Sequence, residues 1–163
     1  MKYTSMWFYV MLYDENCHDD TVMELKKVSI IEVLTGKRNN CVDETAVIVG
    51  EDGAYKCIDF TMGTFVAHDN QQTITLEFNS NVCAESVKEN IYLLTADRER
   101  IDPITYVENN SIIVSPPLTG YEFDVKYELN ITSNVVSAGQ NRLTESFLMP
   151  IYVLGKNSYF NID

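Results

Sequence analysis

A chain of 163 residues, 45% apolar and 22% charged, is long enough to bury a core without relying on staples. Its formal charge is −12 at neutral pH, with 6 basic against 13 acidic residues up to Asn81 and 6 against 11 beyond it. That field repels phosphate backbones and anionic bilayers, and the longest basic runs are the pairs Lys26, Lys27 and Lys37, Arg38, so neither nucleic acid nor membrane is expected as a partner.

The first element is a bulky apolar run over residues 6–13. It sits at the short edge for a signal segment, is followed by Asp14 and Glu15 where a small-residue cleavage site would stand, and is shorter than the roughly 20 residues of a spanning helix. A buried first strand is the preferred reading. Residues 14–20, with Cys17 and His18 among four carboxylates, form the densest oxygen-ligand cluster. They lack the glycine and terminal Glu of a calcium loop and read as a solvated acidic loop. Val22, Leu25, Val28 and Ile31 recur at helical spacing before a β-branched run, so residues 20–27 read as a helical turn and 28–34 as a strand. A hairpin follows over 46–49 and 54–60, closed by the loop from Gly50 to Gly53, and then a short strand at 64–66. The polar stretch 68–72 marks a boundary between an N-terminal β-rich docking region (1–68) and a β-sandwich (69–163).

From residue 73 the pattern alternates, which puts Ile74, Leu76 and Phe78 on one face. A single helical turn is expected at 84–89. Strands are expected at 91–94, 104–107, 111–114, 123–131 and 146–153, with Pro116, Pro117 and Tyr121 in a loop. Asp97, Arg98, Glu99 and Arg100, with Asp102, read as a wet hairpin tip. Ile91 and Leu93, Ile112 and Val114, and Tyr127, Leu129 and Ile131 repeat the alternation, enough to fill the gap between two facing sheets. Turn residues recur about every ten positions among β-branched and aromatic residues, so the fold class is all-β. Tyr127 reads as a plain half-buried aromatic in preference to a corner tyrosine bonded to backbone.

Chemistry is thinly represented. His18 and His68 are the two histidines, and Cys17 and His18, adjacent on a strand, would point to opposite faces. No nucleophile elbow, zinc-protease helix, phosphate loop or dinucleotide fingerprint occurs, and no carboxylate spacing marks a glycosidase pair. No catalytic, cofactor-binding or metal-binding residue is therefore assigned, no cofactor is expected, and the chain is expected not to be an enzyme. Cys17, Cys41, Cys57 and Cys83 form no CxxC pair, and reduced thiols are preferred over two disulfides.

Residues 73–153 resemble the bacterial Ig-like domain first associated with S-layer proteins (the SbsA Ig-like type). The resemblance is carried by Ile74-Thr75-Leu76-Glu77-Phe78-Asn79, by Ser111-Ile112-Ile113-Val114-Ser115-Pro116-Pro117-Leu118, and by Tyr127-Glu128-Leu129-Asn130-Ile131. The loop from Val136 to Leu143 departs from the family, with Ser137 where Asp is usual and Gln140 inserted between Gly139 and Asn141. That departure lowers the expectation of a side-chain-capped loop. The resemblance implies an Ig-like Greek-key β-sandwich with an N-terminal β-rich extension or small second β domain. It also implies a non-enzymatic structural or interaction protein whose partners are other subunits of a larger assembly, with homo-oligomerisation left open. Because the chain starts at Met1 with a single unit, the resemblance leads to a bacteriophage virion component assembled in the host cytoplasm: a capsid decoration, neck or tail accessory. The alternative is a carbohydrate- or receptor-binding module on a bacterial surface, with Trp7 and exposed tyrosines as stacking platforms.

Overall fold

In this computed structural model, residues 7–8, 23–30, 45–59 and 65–161 are described. Thirteen strands and one 3-10 turn are described among them. They are β1 (Trp7–Phe8), β2 (Leu25–Ile30), β3 (Thr45–Val49), β4 (Tyr55–Asp59), β5 (Phe65–Ala67), β6 (Ile74–Phe78), the turn Ala84–Ser86, β7 (Ile91–Leu94), β8 (Arg100–Ile101), β9 (Thr105–Glu108), β10 (Ser111–Val114), β11 (Lys126–Ile131), β12 (Phe147–Val153) and β13 (Tyr159–Asn161). Two five-stranded sheets run in the orders β1-β2-β6-β10-β9 and β5-β12-β11-β7-β8, and a third runs β13-β3-β4.

The alternating residues explain why two sheets face each other. Ile74, Leu76, Phe78, Ile112 and Val114 from the first sheet are buried, as are Ile91, Leu93, Tyr127, Leu129 and Ile131 from the second, and all belong to one core. Phe65, Tyr121, Met149 and Ile151 are among the others that join it. Each such side chain contributes roughly 1.5–3 kcal/mol by leaving water. The chain crosses between sheets at β6–β7, β8–β9 and β10–β11, while β9–β10 and β11–β12 are antiparallel neighbours within one sheet. With β5 parallel to β12 at the far edge, the orders β2-β6-β10-β9 and β12-β11-β7 are those of an Ig-like Greek-key sandwich.

Strands from the first 68 residues belong to both layers. β2 pairs antiparallel with β6, and β5 pairs parallel with β12, so residues 1–68 and 69–163 share both sheets of the sandwich. The polar stretch 68–72 is a turn that carries the chain from one sheet to the other. There the Asp69 carboxylate accepts the Gln71 N–H at 2.9 Å, and its carbonyl accepts the Gln72 N–H at 3.2 Å.

Several local expectations are corrected. The helical turn over 20–27 is not formed at its described end, because Leu25–Ile30 is a strand. The register slips between Leu25 and Lys27, so Leu25, Val28 and Ile30 stand opposite Phe78, Leu76 and Ile74. That bulge produces the three-residue apolar spacing that imitates a helix. The expected turn at 84–89 is a 3-10 turn over Ala84–Ser86, and β8 and β13 are strands that the alternation did not reveal. In the apolar run 6–13, Trp7–Phe8 pairs with β2 at Ser29 and Val28. The rest of that run, the acidic loop 14–20, residues 31–34 and the hairpin end at Phe60 lie outside the described residues.

Two side chains do more than their sequence reading assigned. Tyr127 is buried and its hydroxyl accepts the Glu122 N–H at 3.1 Å, making it a corner tyrosine at the start of β11. Ser137, itself buried, does cap the departing loop: its hydroxyl accepts the Asn141 N–H at 3.1 Å, while its own N–H donates to the Asn141 carbonyl at 2.8 Å. The inserted Gln140 is absorbed in the left-handed region at φ 67°.

Candidate interaction surface

His68, at the end of β5, is half-buried beside the Leu154 backbone and the Asp124 carboxylate. Burial holds its imidazole below the ordinary histidine range, partly opposed by a hydrogen bond to the Leu154 backbone and by the charge of Asp124. Asp124 spends one oxygen on the Gly155 N–H at 2.8 Å, and a Cβ on Gly155 would meet its other oxygen at 2.7 Å. These contacts tie β5, the β10–β11 connection and the end of β12 together. Cys17, His18 and the acidic residues of 14–20 lie outside the described residues.

The charged stretch at residues 97–102 spans the hairpin turn after β7 and β8 itself, and it is more than a wet tip. Arg98, at φ 67°, reaches Glu128 on β11 at 2.7 Å, and Lys126 reaches the same carboxylate at 3.2 Å. Arg100 bonds Asp102 at 2.7 Å and lies 4.3 Å over the Tyr92 ring, so one face of that aromatic is occupied by a cation. The expectation of reduced thiols is corrected at one position: Cys57 is disulfide-bonded, while Cys83 is free. The Cys83 thiol donates to Glu85 at 3.1 Å and holds that exposed carboxyl below its ordinary range.

Among the described residues, five large apolar side chains stand in solvent at three places. Leu118 is 91% exposed and Phe123 is 48% exposed in the β10–β11 connection. The turn under Leu118 is pinned: the Gly120 N–H donates to Pro117 at 2.7 Å, and the Tyr121 N–H donates to Asn70 at 2.9 Å. Gly120 sits at φ 79°, and a Cβ there would come 2.9 Å from the Asn70 carbonyl, so both conformation and close approach require glycine. Ile104 and Tyr106 project from the β9 edge beside a groove of about 560 Å³ whose walls include Ala84, Lys88 and Pro103. Leu148 projects from the outer face of the second sheet, opposite Asn130.

None of these five was singled out as a site by the sequence reading. A signal did exist for Ile104 and Tyr106: alternation through Val107 puts them on the face turned away from the core. Leu118 carries no periodic signal, because it sits in a turn. No protein-family model matches this chain, and no curated protein matches it either.

Proposed function

We propose that this protein is a non-enzymatic interaction module, an Ig-like accessory unit that docks by surface contact on a larger protein assembly. The observation that carries the reading is Leu118, a large apolar side chain held 91% exposed on a turn fixed at both ends. A rigid apolar anchor meets a partner's pocket with little ordering entropy left to lose, which is how a few residues dominate an interface. The assembly favoured by the family resemblance is a bacteriophage virion, with this chain as a capsid decoration, neck or tail accessory. The disulfide at Cys57 suits a particle or cell surface in oxidising surroundings. A bacterial surface module for carbohydrate is the weaker reading, since Arg100 covers Tyr92 and the Trp7 side chain lies outside the described residues.

The test is cosedimentation of the full chain with particles from its native source, beside a Leu118→Asp variant. The wild-type chain is expected in the high-mass fraction and the variant at least about tenfold depleted from it, which corresponds to about 1.4 kcal/mol of lost interface energy. Leu118 makes so little contact with its own fold that both chains are expected to melt within about 3 °C of each other. A wild-type chain that stays wholly in the light fraction overturns the proposal.

A further inference from the structure

We infer that the open edge of β9 accepts an extended segment of a partner protein as an added antiparallel or parallel strand, and that this segment is basic at its ends and apolar between them. The inference rests on the docking reading and names the class of partner for it. The register fixes which backbone groups are available. The Ile104 carbonyl accepts the Ser115 N–H at 2.9 Å, and β9 then pairs Tyr106 with Ile113 and Glu108 with Ser111. Alternate residues of an antiparallel pair point their N–H and C=O groups at the neighbour and the ones between point them away. Ile104, Tyr106 and Glu108 therefore serve β10, and Thr105 and Val107 turn theirs outward at the end of the five-stranded order. Among the described residues nothing pairs with β9 on that side.

The side chains describe the occupant. Ile104 and Tyr106 are about half exposed on the outer face, and the groove beside them is walled by Ala84 and Pro103, so apolar residues at alternate positions of an incoming strand find partners there. Glu108 stands exposed at one end and Asp102 at the other, roughly 20 Å away for six extended residues, with one Asp102 oxygen already bonded to Arg100 and the other left for a partner. Only Lys88 among the groove's walls is cationic, and it lies between Glu85 and Glu89 in the sequence. A second copy of this chain, at −12, brings the wrong sign to that edge; a segment with Lys or Arg at both ends complements it. Main-chain bonds would supply affinity and the alternating pockets specificity. Natural sheets usually block such an edge with lysine, proline or an inward charge; Pro103 offers no donor at the start of this one, while Thr105 and Val107 leave theirs open.

The test titrates isotope-labelled full chain with three synthetic hexapeptides of alternating Val and Thr: one ending in Arg at both ends, one ending in Glu, and one Arg-ended but N-methylated at alternate residues. The expected result is saturable shifts at the Thr105 and Val107 amides with the first, at least fivefold weaker binding of the second, and loss of binding with the third. Shifts that ignore N-methylation, or none at those amides with the Arg-ended peptide, overturn the inference. A Thr105→Pro variant, which removes an outward donor and leaves the bonds to β10 intact, separates this from the docking reading. It is expected to melt within about 3 °C of wild type and to lose at least tenfold in particle binding. If it cosediments as fully as wild type, docking stands and the edge inference falls; if wild type itself does not cosediment, docking falls and the peptide titration alone judges the edge.

Discussion

Tyr121 and Tyr127 make the same edge-to-face pair, with ring centroids 5.1 Å apart at 72°, yet their hydroxyls have opposite circumstances. The Tyr127 hydroxyl holds the Glu122 N–H, whereas the Tyr121 hydroxyl is buried with no hydrogen-bond partner among the described residues, and burial drives its acidity well below that of an ordinary phenol. Removing one oxygen should therefore act with opposite sign at the two positions. Tyr127→Phe forfeits a satisfied bond worth about 1 kcal/mol, which lowers the melting temperature of a chain this size by about 2–4 °C. Tyr121→Phe removes a desolvated polar atom that gains nothing in return and is expected to leave the melting temperature unchanged or raise it by up to about 3 °C. Calorimetry of the two single variants checks both. A loss at Tyr121 as large as at Tyr127 would mean the Tyr121 hydroxyl is bonded in solution.

At the scale of elements, the loop from Val136 to Leu143 is held by one side chain. Ser137 accepts the Asn141 N–H, its backbone bonds both Asn141 and Gln140, and it bridges to Val82 across the end of the sandwich. Ser137→Ala removes the hydroxyl from a buried position and leaves the Asn141 donor unpaired, at a cost of about 1–2 kcal/mol in urea unfolding with an unchanged slope. A variant as stable as wild type would show that the backbone bonds alone hold the loop. The strands with four or more alternating residues, β6, β7, β10 and β11, were legible because burial on one face writes a period of two into the sequence. β8 was not, since two residues cannot show a period and Arg100 reads as a turn charge. β2 misled for a different reason: its bulge turns a period of two into a spacing of three. Exposure at Leu118 was invisible to patterning altogether, because it depends on a turn pinned from Asn70, 48 positions away in the chain.

For the whole molecule, the division of labour between the first 68 residues and the rest is the question the packing bears on most directly. Met23, Leu25, Phe65 and Ala67 are buried in the same core as Ile112 and Leu129, and Met23 bridges in parallel to Leu143. Removing residues 1–68 would strip β2 from β6 and β5 from β12, opening one edge in each sheet. The three larger of those four side chains are each worth roughly 1.5–3 kcal/mol, a sum comparable with the about 5–15 kcal/mol that holds a typical domain together. The fragment 69–163 is therefore expected either to lose its cooperative thermal transition or to self-associate through the exposed edges of β6 and β12. Circular-dichroism melting and sedimentation of the fragment beside the full chain decide it. A monomeric fragment that melts within about 3 °C of the full chain would show that residues 1–68 add strands the sandwich does not require, and that the sandwich beyond residue 68 folds as a unit of its own.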